Sequence, residues 1–520
     1  MVVKNSINNT SKTTNTNQSS NNQWDDVRAA LKRFWGYEDF RPPQGEIIRM
    51  ILEQRDALII LPTGGGKSIC FQLPALLQTG LTLVISPLVA LMENQVQELR
   101  DRLWRALKSD RKLPAALLHS ELPRYQRQQT LKAIENQQLR LLYLSPETLL
   151  SEPVWKRLCQ PQVQINGLIL DEAHCLVQWG DTFRPAYRRL GAVRPALLKC
   201  KPKGTKIAIA SFTATADPKA QQTIRKVLQL QQPQTFLISP YRDNLNLQVQ
   251  TVWTPKGRRQ RVLNYIKARP KQAGLVYVRS RKDSKVLAQW FTSLGYSTAA
   301  YHAGLGAQER RKIEASWISG QTQFVVCTCA FGMGINKPDV RWVVHFQAPL
   351  LLSEYIQEVG RGGRDGKPAD ALTLVSEPTG WFNPEDKQRQ AFFADQMRSQ
   401  YQKAQQLAKQ LPAQGEVAKV AKEFPNGAIA LALLDSAGQL EWIDPFHYRQ
   451  HRSQKSPSLA QVSTIQQQAQ SQMNQYLKTR QCRWQFLLKA FGFTQDAVGF
   501  RCDRCDNCLS HLSKGVGSRE

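Results

Sequence analysis

Between the apolar run Ala57–Leu61 and the helix-length stretch that follows it stand Pro62-Thr63-Gly64-Gly65-Gly66-Lys67-Ser68. A strand that breaks into a glycine turn and restarts as a helix admits few folds, and it is the repeating unit of a doubly wound α/β sheet. The glycines let backbone N–H groups curl round an anion, and the helix that follows adds the positive end of its dipole. On this pattern Thr63, Gly64, Gly65 and Gly66 cradle a triphosphate, Lys67 reaches its β- and γ-phosphates, and Ser68 holds Mg²⁺. The strict form of the loop has a glycine where this chain has Leu61, so the match is to a variant loop.

The same alternation continues along the chain. Leu81–Ser86, Leu139–Leu144, Gly167–Leu170 and Lys206–Ala210 read as further strands, each followed by turn residues and a helix-length stretch. After a polar linker, Ser239–Asn246, a second series runs through Gly274–Val278, Ser297–Tyr301, Phe324–Cys327 and Trp342–Phe346, and closes near Ser376. The class predicted is α/β, with two tandem doubly wound parallel-sheet lobes. Beyond Trp381 the pattern turns helical, at Leu407–Leu411 and Ile429–Leu434, with Gln-rich stretches between. The expected segments are a disordered tail at 1–23, lobes at 24–240 and 241–380, a helical region at 381–481, a four-cysteine module at 482–512 and a tail at 513–520.

Asp171-Glu172-Ala173-His174 follows the strand Gly167–Leu170 directly. In doubly wound sheets ligands bind beyond the carboxyl ends of the strands. Asp171 there is placed to hold Mg²⁺ through water, and Glu172 to orient or deprotonate an attacking water. Taken alone, the pair is equally a helix N-cap.

The loop, the Asp-Glu-Ala-His run and two α/β lobes resemble a superfamily-2 helicase, whose lobes are RecA-like. Further motifs resemble the RecQ family of ATP-dependent DNA helicases. Trp35-Gly36-Tyr37 and Phe40-Arg41-Pro42-Pro43-Gln44 resemble its adenine-reading motif, in which Gln44 reads the base edge and Tyr37 and Arg41 stack on the base. Cys175–Tyr187 resembles its aromatic-rich loop, so Gln178, Trp179, Phe183 and Arg184 become candidate contacts to single-stranded DNA. Ser211-Phe212-Thr213-Ala214-Thr215-Ala216 resembles the motif linking ATP state to the lobes, with Phe212 where the family usually has a smaller residue. In the second lobe Tyr301–Leu305, Ala330–Lys337 and Gln357–Gly366 match in family order, with Gly362-Gly363 in place of the usual Ala-Gly. The resemblance implies that Arg364 neutralises γ-phosphate charge and that Arg361 supports the phosphates.

Cys482, Cys502, Cys505 and Cys508 can enclose one tetrahedral Zn²⁺. An iron–sulfur cluster is the rival, since such triplets also hold one; position 512 is Leu, where a cluster usually takes its next thiolate. The family has a zinc module here, but normally sooner after the last helicase motif. Within the extra stretch, Gly427–Ser436 reads as a helix, Ala437-Gly438 as a turn and Gln439–Arg449 as an extended run. That is either a winged-helix-like DNA contact or a docked helical decoration. The family's own winged helix and its helicase-and-RNase-D-like C-terminal domain follow the zinc module, a place that residues 509–520 do not fill.

The charge agrees. Lys and Arg number 70 against 41 Asp and Glu, a balance of +29, which asks for a polyanion, either nucleic acid or an anionic membrane. Basic tracks lie at Arg100, Arg102, Arg105, Lys108, Arg111 and Lys112, and at Arg310-Arg311-Lys312. No apolar run is long enough to span a bilayer. The tail lacks the apolar core of an export signal, and the scattered cysteines fit a reducing compartment. The resemblance implies a cytoplasmic, nucleoid-associated monomer with ATP, Mg²⁺ and Zn²⁺ as cofactors. It implies 3′→5′ movement on single-stranded and partial duplex or branched DNA, in repair and recombination. An RNA helicase on the same core and an ATP-independent annealing protein are the alternatives.

Overall fold

The structure, a computed structural model, describes residues 12–107, 114–178, 184–332, 335–451 and 459–515 of the chain. Seven strands build the first sheet: β1 (Ala57–Ile60), β2 (Leu81–Ile85), β3 (Ala115–Leu118), β4 (Leu141–Leu144), β5 (Ile165–Leu170), β6 (Ala208–Thr213) and β7 (Gln234–Leu237). Their order is β3-β4-β2-β5-β6-β1-β7. β1, β2, β4 and β5 are buried along their whole length, as strands covered on both faces must be. The five runs read as strands in this region all form them, shifted by a few residues. β3 and β7 went unread because they are edge strands of only four residues, partly exposed, and β7 mixes polar with apolar side chains.

The second sheet holds β8 (Leu245–Val252), β9 (Ala273–Tyr277), β10 (Thr298–Tyr301), β11 (Phe324–Cys327), β12 (Val340–His345) and β13 (Ala369–Ser376). It is parallel throughout, in the order β10-β11-β9-β12-β13-β8. The segment read as a polar linker overlaps the start of β8, an edge strand whose Asn and Gln residues alternate with apolar ones. Gly274 has no side chain because the indole of Trp342 lies where its Cβ would stand.

The first residues differ from the sequence reading. A helix spans Lys12–Trp35, so part of the segment expected to be disordered is helical. Its later turns bury Val27, Ala30 and Leu31, and that apolar face gives the polar turns before it a helix to extend.

After β13 a helix of 24 residues, Glu385–Ala408, is about 36 Å long. The run read as helical at Leu407–Leu411 is its last turn and the chain just beyond. There follow β14 (Gln414–Glu416), helices Val417–Glu423 and Gly427–Ser436, β15 (Leu440–Trp442) and β16 (His447–Gln450). These three strands are antiparallel, with β16 in the middle. The extended run is therefore a hairpin, whose turn is held by Asp444 accepting the N–H groups of Phe446 and His447 at 2.7 and 2.9 Å. Leu431, Leu433, Leu434 and Tyr448 form its core.

Helices Leu459–Lys478, Arg483–Ala490 and Asp506–Gly515 complete the described chain. Trp484, Leu487 and Phe491 join one apolar cluster with Leu245 and Leu247 of β8. The Trp484 indole N–H donates to Leu245 O at 3.2 Å, and Asp506 accepts the Val249 N–H at 2.9 Å. The edge of the second sheet is covered rather than left open to another strand. Among the described residues no helix is long and apolar enough to cross a membrane.

Candidate nucleotide, metal and DNA sites

The glycine loop keeps the backbone its composition calls for. Gly64 and Gly66 have φ of +84° and +73°, and Gly66 caps the helix Lys67–Leu77. A Cβ at Gly66 would collide with the Gln44 amide nitrogen. The adenine-reading candidate and the phosphate loop therefore touch, which the sequence does not show. Gln44 is buried. Its amide oxygen accepts the Arg41 N–H at 3.0 Å, and its own N–H donates to Arg41 O at 2.7 Å. Tyr37 is half exposed and Arg41 exposed. Lys67 and Ser68 open the first turn of the helix and are partly exposed.

Asp171 directly follows the buried strand β5 and is itself buried. Glu172 follows at φ +54°, in the left-handed region that costs a non-glycine residue free energy. Its N–H donates to the Asp171 carboxylate at 3.1 Å. A polar chain leads away from it. Glu172 Oε2 lies 3.3 Å from His174 Nδ1, which lies 3.2 Å from Thr213 Oγ1. The Thr213 hydroxyl donates to Thr215 O and accepts the Thr215 N–H, both at 3.2 Å. Thr215 Oγ1 in turn accepts from Gln357 Nε2 at 3.0 Å. A second link runs from Thr63 Oγ1 to Gly360 O at 3.0 Å, where a glycine Cβ would sit 2.7 Å from that hydroxyl.

Both candidate arginines are held by backbone carbonyls. Arg361 is buried, and its guanidinium donates to Gly332 O, at a glycine whose φ of +115° and lack of Cβ make the approach possible. Arg364 donates to Ile335 O at 3.0 Å and to Asn336 Oδ1 at 3.4 Å. Burial, and then the neighbouring Arg361 charge, bring its pKa down to about 10.

Several residues that hold this loop had no role in the sequence reading. Arg242 donates to Gly362 O at 3.1 Å and also to Gly363 O. Asn244 donates to Gly363 O at 2.8 Å and to Lys367 O at 2.7 Å. Both sit in the presumed linker. Arg279, at the end of β9, grips Glu358 with two bonds of 2.8 and 2.6 Å, and His345 Nε2 adds a third contact at 2.9 Å. Burial opposes ionisation of Glu358, yet Arg279 and His345 hold its pKa at about 2. Only a basic residue just after an apolar strand hinted at Arg279. Gly362 stands 3.2 Å from Ala369 Cβ measured from its own would-be Cβ, so the departure from Ala-Gly relieves a crowded contact.

The four sulfurs of Cys482, Cys502, Cys505 and Cys508 all lie within 4.8 Å of one another, with Cys502 and Cys508 at 3.9 Å. Zn–S bonds of about 2.3 Å in a tetrahedron put sulfurs about 3.8 Å apart, so the donors fit zinc. Sulfur also accepts backbone N–H groups: Cys502 N–H to Cys482 at 3.3 Å, and Arg483 N–H to Cys505 at 3.4 Å. Such bonds stabilise the thiolate form that binds metal. Of the DNA-loop candidates, Trp179 and Phe183 and the side chain of Gln178 lie outside the described residues, as do Lys108, Arg111 and Lys112 of the first basic track. Arg184 is described, at the start of a 3₁₀ helix Pro185–Ala192. Arg100 and Arg105, like Arg311 and Lys312, are exposed.

Residues 41–224 match the DEAD/DEAH box helicase family, residues 257–366 the helicase conserved C-terminal domain, and residues 447–509 the RecQ zinc-binding family. The chain is 52% identical over 486 residues to the ATP-dependent DNA helicase RecQ of Synechocystis sp., covering 93% of this chain and 98% of that protein. To the protein of the same name from Haemophilus influenzae it is 36% identical over 370 residues, 70% of this chain and 56% of that one. Among solved structures, the DEAD-box helicase Mss116 bound to ssRNA and UDP-BeF superposes with a TM-score of 0.57 at 18% identity, over 68% of this chain and 73% of that one. Mycobacterium smegmatis Lhr bound to ssDNA and AMP-PNP gives 0.54 at 18%, over 85% and 62%. At such identities the likeness shows the shared two-lobed fold.

Proposed function

The chain belongs to the RecQ family of ATP-dependent DNA helicases, and from that premise we propose how its residues divide the work. Mg²⁺ and ATP supply the phosphoanhydride chemistry. Lys67 binds the β- and γ-phosphates, Ser68 and Asp171 hold the metal, and Glu172 orients water for in-line attack. Arg361 and Arg364 stabilise charge on the γ-phosphoryl group once they leave their carbonyl partners. Gln44, Tyr37 and Arg41 take the adenine.

The observation that carries this reading is the polar chain from Glu172 through His174, Thr213 and Thr215 to Gln357. It gives a state change at the carboxylate a physical route to the helix Leu352–Val359, which leads into the arginine loop. Two packings of that helix, biased by nucleotide, then become stepwise 3′→5′ movement along single-stranded DNA. The polymer is single-stranded, partial duplex or branched DNA, met in repair and recombination by a monomer at the nucleoid. Similarity to bacterial relatives supports that setting.

Residues 413–451 support the docked reading over a DNA contact. Their helix Gly427–Ser436 is apolar and buried, and Arg189 of the 3₁₀ helix donates to Pro445 O at 3.1 Å. Across residues 413–475, Glu416, Glu423, Asp435, Glu441 and Asp444 match Lys419, Lys422, Arg449, Arg452 and Lys455 in number, so the insertion carries no excess of positive charge for a phosphate track.

ATP hydrolysis measured without polymer, with single-stranded DNA and with RNA tests the assignment. Stimulation by DNA, abolished in Lys67→Ala, is expected. DNA-stimulated hydrolysis that survives Lys67→Ala would sink the motor, and stimulation by RNA alone would make this an RNA helicase.

A further inference from the structure

An aromatic cluster that has no role above stands open on the second lobe. Trp381 is 87% exposed, Phe382 64% and Trp253 61%, and the Trp253 and Phe382 rings lie 6.2 Å apart, edge to face. Buried aromatic surface stabilises a fold, so three rings left in water need another reason.

Their presentation is built. Trp253 follows the last residue of β8, and Trp381 and Phe382 follow β13, whose Ser376 is in register with Val252. In a parallel sheet these are carboxyl ends, on the same edge as the loops after β9 and β11. Glu377, almost fully buried, fixes the turn by accepting the Thr379 N–H at 2.6 Å and the Phe382 N–H at 3.1 Å. Asp386 pins the next helix by accepting from Arg258 at 2.9 Å and from the Ser376 N–H at 2.7 Å. These two acids are thereby turned inward, and Glu385 is partly buried. The exposed charges on these segments are basic: Lys256 and Arg259, and Lys387, whose stem lies against Gly380 and whose ammonium donates to Thr379 O.

We propose that Trp253, Trp381 and Phe382 form a stacking platform for the bases of single-stranded DNA, with Lys256, Arg259 and Lys387 meeting the phosphates. Flat rings flanked by cations suit a polyanion whose every base has a π-face, whatever its sequence. The platform adds a contact for the strand on the second lobe. It rests on the reading that DNA is the polymer of this motor.

Fluorescence anisotropy on labelled oligothymidylates of increasing length tests it in the full chain. The native protein binds more tightly as the strand grows long enough to span both contacts. Trp381→Ala with Phe382→Ala lowers affinity for long strands by about 10-fold or more, leaves short strands unaffected, and keeps the native melting temperature, since both rings are exposed. Trp381→Tyr, which keeps a stacking face, restores most of the loss. The deficit persists in high salt, whereas that of Lys256→Ala fades. Equal affinity at every length would assign the rings to a protein partner and overturn the proposal. An equal loss at every length, or no rescue by tyrosine, would overturn it too. Failure of native protein to be stimulated by any DNA would instead be a failure of the motor reading.

Discussion

Gln357→Met tests the coupling chain with little change in shape. Methionine matches glutamine in length and volume but cannot donate to Thr215 Oγ1, 3.0 Å away. A neutral hydrogen bond contributes about 0.5–1.5 kcal/mol net, which converts to roughly a 2- to 13-fold effect on the equilibrium it biases. If the bond couples nucleotide state to lobe arrangement, DNA-stimulated kcat falls by that factor. Hydrolysis without DNA stays near its native rate, because Lys67, Asp171 and Glu172 are untouched. Thr215→Val removes the same bond from the other end, so it gives the same loss, and the double variant is no worse than either single one. A coupled-enzyme ATPase assay across a DNA titration measures all four corners of the cycle. Additive losses would show that the two residues act separately. Equal loss with and without DNA would show that Gln357 supports the fold rather than the coupling.

Gly66→Ala sets a Cβ against the Gln44 amide in a backbone with φ +73°. It loses about 1–2 kcal/mol from the left-handed strain alone, seen as a lower melting temperature and weaker nucleotide binding. Glu358 has a folded pKa of about 2 against 4.5 for the free side chain. A depressed carboxylate stabilises the fold above its unfolded pKa, and that share, on the order of 3 kcal/mol at most, is lost as pH falls from about 4.5 towards 2. Circular dichroism during acid titration shows the transition, and Glu358→Gln, which leaves Arg279 buried without its hydrogen-bonded ion-pair partner, is destabilised already at neutral pH. Purified protein is expected to be colourless and to carry one zinc per chain by elemental analysis. Cys505→Ser lowers that content and loosens β8, read as faster amide exchange at Val249. An iron–sulfur absorption band would refute the zinc assignment.

The strands of both lobes were legible wherever a run was apolar along its whole length, because a strand covered on both faces has no polar position to hide it. β1, β4, β9 and β11 are of that kind, and β2, β5 and β12 carry only one or two polar residues each. β7 and β8 lie at sheet edges and mix polar and apolar residues, β3 is an edge strand of only four residues, and the interior strand β13 is interrupted by Asp370 and Thr373; these were missed or folded into a linker. The hairpin of β15 and β16 was read as one extended run because its turn is made by Asp444 capping two amides, a signal carried by one side chain.

The site divides in the same way. Residues whose chemistry demands a fixed local spacing announced themselves: the glycine loop, Asp171-Glu172, the paired arginines and the four cysteines. Those that act by holding another segment did not. Arg242 and Asn244 grip a loop more than a hundred residues away, and Arg279 is buried against Glu358. No spacing rule links such pairs, since only the folded sheet brings them together.

The sequence by itself determined the α/β class, the four metal thiols and the charge that calls for a polyanion, and it carries the glycine loop and acid pair on which the proposed mechanism rests. These are local patterns or sums, and they survive without coordinates. Only the tertiary structure decided which carbonyls hold Arg361 and Arg364, which hydroxyls link Glu172 to Gln357, and which aromatic rings stay in water. Those are properties of distance between segments, and a chain written in one dimension does not carry them.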